Sequence, residues 1–99
     1  MRMILSLDEL NLPNKHRSFL EQFINRVATL PDRRRIERLV LFGSCARGEA
    51  TEMSDIDIVA IGEDIDDDLL WELYDCVPAY LLLMTFSNGK KLPVLPVRQ

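Results

Sequence analysis

Cysteine is scarce in this chain. Cys45 and Cys76 are the only two, and their separation matches no zinc or redox spacing. With no secretory leader, both are expected as free thiols in a reducing compartment. Positive charge is also short: 12 Lys and Arg stand against 16 Asp and Glu, a net charge of −4. That balance argues against a domain living on nucleic-acid backbone, so no strong binding of free nucleic acid is expected. It leaves open a small anionic substrate that arrives with its own cation, for which carboxylates would be ligands. No apolar run approaches the ~18 residues of a membrane span. The start, MRMILSLDELN, turns acidic at Asp8 and Glu9, too soon for a secretory signal. The expected location is the cytoplasm, without a membrane. Internal repeats, low-complexity tracts and a Walker-type Gly-Lys-Ser/Thr loop are all missing.

What is present is 47% hydrophobic residues over 99 positions, enough for one domain, 1–99, with a packed core. Asn14 reads as the cap of a helix with its body over 17–30, where Phe19, Leu20, Phe23, Ile24, Val27 and Leu30 recur at helical spacing. Pro31 ends it, and Asp32–Arg35 is a polar link. Ile36–Phe42 closes on a continuous apolar run and reads as a buried strand. Ser44–Arg47 reads as a brief helical turn capped by Ser44, and 48–53 as loop. Asp55–Ile61 alternates acid and aliphatic and predicts a second strand. The acids of 62–68 suit a helix N-terminus, followed by a helix over 69–76 with Leu69, Leu70, Leu73 and Tyr74 inward. Ala79–Phe86 is a third strand, and Ser87–Lys90, with Asn-Gly at its centre, a hairpin turn. Lys91–Val97 would return as an edge strand limited by Pro93 and Pro96. The apolar edge at 79–97 suits a homodimer. The fold class is α/β (α+β), a mixed β-sheet covered by helices.

The chemistry concentrates in LFGSCARGEATEMSDID, residues 41–57. Residues two apart in a strand share a face with Cα atoms about 6.6 Å apart, so Asp55 and Asp57 stand side by side while Ile56 and Ile58 enter the core. Adjacent acids repel, and one holds its proton more tightly unless a cation lies between them. Mg²⁺ suits such hard oxygen ligands, and two Mg²⁺ would suit an in-line phosphoryl displacement. Gly43 allows close backbone approach, and the turn begun by Ser44 offers free N–H groups and a hydroxyl to phosphate. Arg47, one turn on, would add charge to that cradle.

Gly-Ser, ten residues, then Asp-x-Asp, set in LFGS-x-ARG and SDID, resembles the DNA polymerase β-type nucleotidyltransferase superfamily. The chain's length resembles its minimal nucleotidyltransferases, which accompany HEPN-domain partners. The resemblance implies that Gly43 and Ser44 contact nucleotide phosphates and that Asp55 and Asp57 are catalytic and bind divalent metal, two Mg²⁺ in all. It implies transfer of a nucleoside monophosphate, AMP from ATP or another nucleoside triphosphate, to an acceptor hydroxyl with release of pyrophosphate. A HEPN-type toxin as acceptor would make the chain an antitoxin.

The sequence departs from that family in two places. A third carboxylate belongs on the next strand, where VPAYLLLMTF has Tyr80, and no acid occurs from Val77 to Gln99. Asp75, on the preceding helix, is not expected to reach. The alternative is therefore a catalytically impaired nucleotide- or partner-binding module; a subunit modifying a small molecule is a third reading. Cys45 stands where many relatives carry Arg, with a solvent-facing side chain expected there. Elsewhere the bland readings win. Arg33, Arg34, Arg35 and Arg38 form a solvated link or a docking patch. Asp64, Asp66 and Asp68 lack the glycine of a calcium loop. His16, between Lys15 and Arg17, is expected to be an exposed helix residue, Trp71 a helix-to-core contact, and Lys90 and Lys91 solubilising.

Overall fold

The computed structural model describes residues 11–93. Its elements are α1 (Asn14–Ala28), β1 (Ile36–Phe42), α2 (Gly43–Ala46), β2 (Ile56–Gly62), α3 (Asp67–Asp75), β3 (Leu81–Ser87) and β4 (Lys90–Lys91), with a 3₁₀ turn at Arg33–Arg35. The four strands form one sheet in chain order, β1 antiparallel to β2, β2 parallel to β3, and β3 antiparallel to β4. The expected mixed sheet with helices is thus what forms. Among the described residues no helix is long and apolar enough to cross a membrane.

Burial alternates along β2 and β3, as one covered sheet face requires. Ile56, Ile58, Ala60, Leu81 and Leu83 meet Leu20, Phe23 and Val27 of α1 and Leu73 of α3 in the main core. On β1, Ile36 and Leu39 are both buried although three residues apart. A bulge between Ile36 and Arg38 resets the pleat and allows it. The opposite face carries Val40, Val59, Ile61, Met84 and Phe86, all half-buried, and the exposed Leu82.

Several boundaries move for local reasons. Asn14 is the first helical residue rather than the cap; Pro13 takes the cap position, and its carbonyl accepts the Arg17 N–H at 3.0 Å. The helix closes at Ala28, and Leu30 packs on the core from beyond its end. His16, expected in solvent, is fully buried, because it lies on the same helical stripe as Leu20, Phe23 and Val27. Asp66 caps α3 by accepting the Leu69 N–H at 2.9 Å, so that helix starts before Leu69. The aspartates there serve the cap and first turn, and Asp64 is held by Asn88. β3 begins at Leu81 because Tyr80 has φ +64°, which breaks the extended run.

Asn88 and Gly89 have φ of +54° and +80°, as an Asn-Gly hairpin turn demands. The described edge strand is only Lys90–Lys91, both exposed, so the edge is charged rather than apolar there. The expected continuation to Val97 lies outside the described residues beyond Pro93. Arg33 and Arg34 are exposed, while Arg35 pairs with Asp66 at 3.1 Å. Both thiols are free and buried.

Gly62, at the end of β2, lies close against the backbone of Arg35 and Ile36. A Cβ there would overlap the Arg35 carbonyl oxygen, whose partner is the Glu63 N–H at 3.0 Å. Gly62→Ala is expected to cost about 1–3 kcal/mol, as overpacking does. Thermal unfolding should show a fall of about 4–8 °C per kcal/mol.

Candidate functional site

β1 and β2 bring the two halves of the motif together. Their antiparallel register sets Phe42 opposite Asp57, so the residue that follows β1 lies against the Asp57 carboxylate. That residue is Gly43, with φ +71°, and a Cβ on it would overlap Asp57 Oδ2. Backbone sign and lack of space both require glycine there. α2 is a single turn, with Phe42 rather than Ser44 at its cap and no side-chain capping bond. Ser44 is its second residue and is half-buried. It comes two positions later in the turn than expected because helical pairing already starts at Gly43, whose carbonyl accepts the Arg47 N–H.

Asp57 sits within β2, half-buried, and Asp55 immediately precedes the strand and is exposed. Ile56 and Ile58 are fully buried, so the alternation turns both acids away from the core. Burial raises the proton affinity of the Asp57 carboxyl above the ordinary carboxylate range, and the neighbouring Asp55 charge raises it further. Ionising Asp57 therefore costs more in the folded chain than in the unfolded one, and a cation held between the acids would offset that cost. Arg47 does not supply it: the side chain is exposed and its Nε donates to Glu49 Oε2 at 3.1 Å. The charge expected in the cradle is taken up by a neighbour.

The donor set fits Mg²⁺ of a particular kind. Among the described residues there is no group of three His, Cys, Asp or Glu able to enclose a metal. Two carboxylates beside a glycine cradle match an ion that keeps waters and shares its ligands with substrate phosphates. Tyr80 does not stand in for a third ligand. Its ring packs toward α1, 5.5 Å from the Phe19 ring and 6.1 Å from the His16 ring, with Lys15 Nζ 4.6 Å over its centroid. Asp75 belongs to α3, in the helix layer.

Two contacts to the acid loop were not foreseen. His16 Nε2 donates to the Ser54 carbonyl at 2.5 Å. Cys45 is fully buried rather than turned to solvent, and its S–H points to the Asp55 carbonyl at 3.6 Å. The spacing of His16 to Leu20 and Phe23, four and seven residues, was the available signal for its burial. Nothing local signals the Cys45 contact.

Known proteins resemble this chain. The family model described as nucleotidyltransferase domain matches residues 20–82, which span Gly43, Ser44, Asp55 and Asp57. A curated protein of Methanocaldococcus jannaschii, named "putative protein adenylyltransferase", is 44% identical over 54 residues, 54% of this chain and 52% of that protein. The match thus spans about half the length of that relative. A crystal structure titled "putative nucleotidyltransferase", from Sulfolobus solfataricus, superposes with a TM-score of 0.59 at 22% identity, over 77% of this chain and 70% of that one. That likeness is one of fold.

Two outcomes check the geometry. Asp55→Asn should lower the Asp57 pKa yet leave it raised from its ordinary value, because burial is the larger cause. A carboxyl-carbon NMR titration reads this directly; an unchanged Asp57 midpoint would separate the two acids. Gly43→Ala should cost at least the ~1–2 kcal/mol of a left-handed backbone on an L-residue, measured by denaturant unfolding.

Proposed function

This chain belongs to the nucleotidyltransferase domain family, and from that premise we propose that it transfers AMP from ATP to a hydroxyl on a partner protein. The observation that carries the proposal is the close approach of Gly43 to the Asp57 carboxylate, which supports reading the glycine turn and the acid pair as one site. The relative named as a protein adenylyltransferase supports a protein acceptor.

Gly43 and Ser44 bind and orient the triphosphate, the glycine by close backbone approach and the serine through its hydroxyl. Asp55 and Asp57 would hold Mg²⁺, which supplies charge neutralisation for the phosphates when bound. The acceptor oxygen attacks the α-phosphorus, an oxygen–phosphorus bond forms, the α–β anhydride bond breaks, and pyrophosphate leaves. The hydroxyl proton passes to water, since β3, Leu81–Ser87, carries no carboxylate to receive it. Positioning and charge neutralisation do most of such work. The reading extends to the cytoplasm as location and to a HEPN-type toxin as acceptor, with this chain as its antitoxin.

One observation favours a second reading, a module that binds nucleotide or partner without catalysis: the Tyr80 ring turns onto α1 and leaves the acid pair without a third ligand. A single experiment separates the two. The chain is incubated with Mg²⁺, α-labelled ATP and the product of the adjacent gene. Label on the partner, lost with EDTA and reduced on the order of a hundredfold or more in Asp55→Asn and Asp57→Asn, is expected for the enzyme. No label with any divalent metal, together with unimpaired neutralisation by the double variant in cells, would establish the binding module.

A further inference from the structure

Asp55 carries a functional side chain on a segment without regular structure, between α2 and β2. A ligand on a loose segment wanders, and its affinity for a cation falls accordingly. Three contacts from three other parts of the chain meet this segment at three consecutive residues. His16 of α1 donates from Nε2 to the Ser54 carbonyl. Cys45 of α2 directs its S–H to the Asp55 carbonyl. The Tyr80 carbonyl, just before β3, accepts the Ile56 N–H at 2.6 Å.

We propose that His16 is a positioning residue for the Asp55 carboxylate, the anchor of a clamp completed by Cys45 and Tyr80. The proposal rests on the reading of Asp55 as a metal ligand. Consecutive Cα atoms are 3.8 Å apart, so fixing the carbonyl before Asp55 and the amide after it leaves that residue little backbone freedom. His16 acts on both sides. Its Nε2 holds Ser54, and its ring lies against the Tyr80 ring, whose residue adopts the left-handed φ that delivers its carbonyl to Ile56. An apolar residue would satisfy the core at this position without difficulty, since Leu20, Phe23 and Val27 occupy the rest of the stripe. Histidine instead leaves Nδ1 buried with no partner among the described residues. A carbonyl oxygen can only accept, so Nε2 carries the hydrogen of the bond to Ser54. A buried polar atom left unpaired in the core is an expense that packing does not explain. The bond made by the other nitrogen explains it.

The test compares His16→Phe, which keeps a ring and removes both nitrogens, with His16→Gln, which restores an N–H donor at similar reach. Mn²⁺ binding to the full chain without nucleotide is read by proton relaxation. Amide exchange at Asp55 and Ile56 is read by NMR in metal-free protein. His16→Phe should weaken Mn²⁺ binding about tenfold, the usual effect of losing a group that orients a metal ligand, and His16→Gln should recover most of it. Exchange at Ile56 should quicken in His16→Phe and return toward the original rate in His16→Gln. Cys45→Ala, which leaves α1 untouched, should move both readouts the same way by less. Unchanged exchange and unchanged Mn²⁺ binding in folded His16→Phe, or equal losses in Phe and Gln variants, would overturn the clamp. Asp55→Asn distinguishes the failures: if it binds Mn²⁺ like the original chain, the ligand reading of Asp55 falls. Quickened Ile56 exchange in His16→Phe would still support the clamp as a backbone device.

Discussion

The register of β1 against β2 is the constraint from which the site follows. With Phe42 opposite Asp57, the chain leaving β1 must turn directly over a carboxylate, and only a residue without a side chain can make that turn at φ +71°. A slip by one residue would point Asp57 into the core and Ile56 and Ile58 away from it. The burial of those two isoleucines against α1 therefore holds the acids in place as much as any polar contact does. Hydrophobic packing and site geometry are the same interaction viewed from the two faces of one sheet.

Electrostatics works in the opposite direction. The chain has more acids than bases, and among the described residues neither Asp55 nor Asp57 is in an ion pair. The guanidinium nearest in sequence, Arg47, serves Glu49 instead. A half-buried carboxylate beside a second acid is held at a cost, visible in the raised proton affinity of Asp57. A fold selected for stability alone would pair or replace it. Left as it is, the pair is suited to a cation brought in by a phosphate ligand.

Much of this was legible in order along the chain, for reasons that are local. Ile36–Phe42 forms the strand its apolar run announces, and Asn88-Gly89 makes the hairpin its φ preferences require. Other elements moved, one through a local side-chain cap and one through a contact distant in sequence. α3 lengthened because the Asp66 side chain found the Leu69 amide, and β3 shortened because Tyr80 bends to meet Ile56. Arg47 was placed near the phosphates by its position one turn after Ser44. The neighbouring Glu49 redirected it, a competition between charges that spacing alone does not rank.

Residue type and spacing by themselves determined the mixed α/β class, the Gly43-Ser44 turn, and the Asp55 and Asp57 pair on one side of a strand. Each depends on backbone geometry repeating every two or 3.6 residues. Tertiary structure alone decided that His16 is bonded to Ser54, 38 residues away, that Cys45 faces the Asp55 carbonyl, and that Tyr80 turns onto α1. Those outcomes depend on which surfaces meet when α1 closes over the sheet, and no pattern within a single element encodes that meeting.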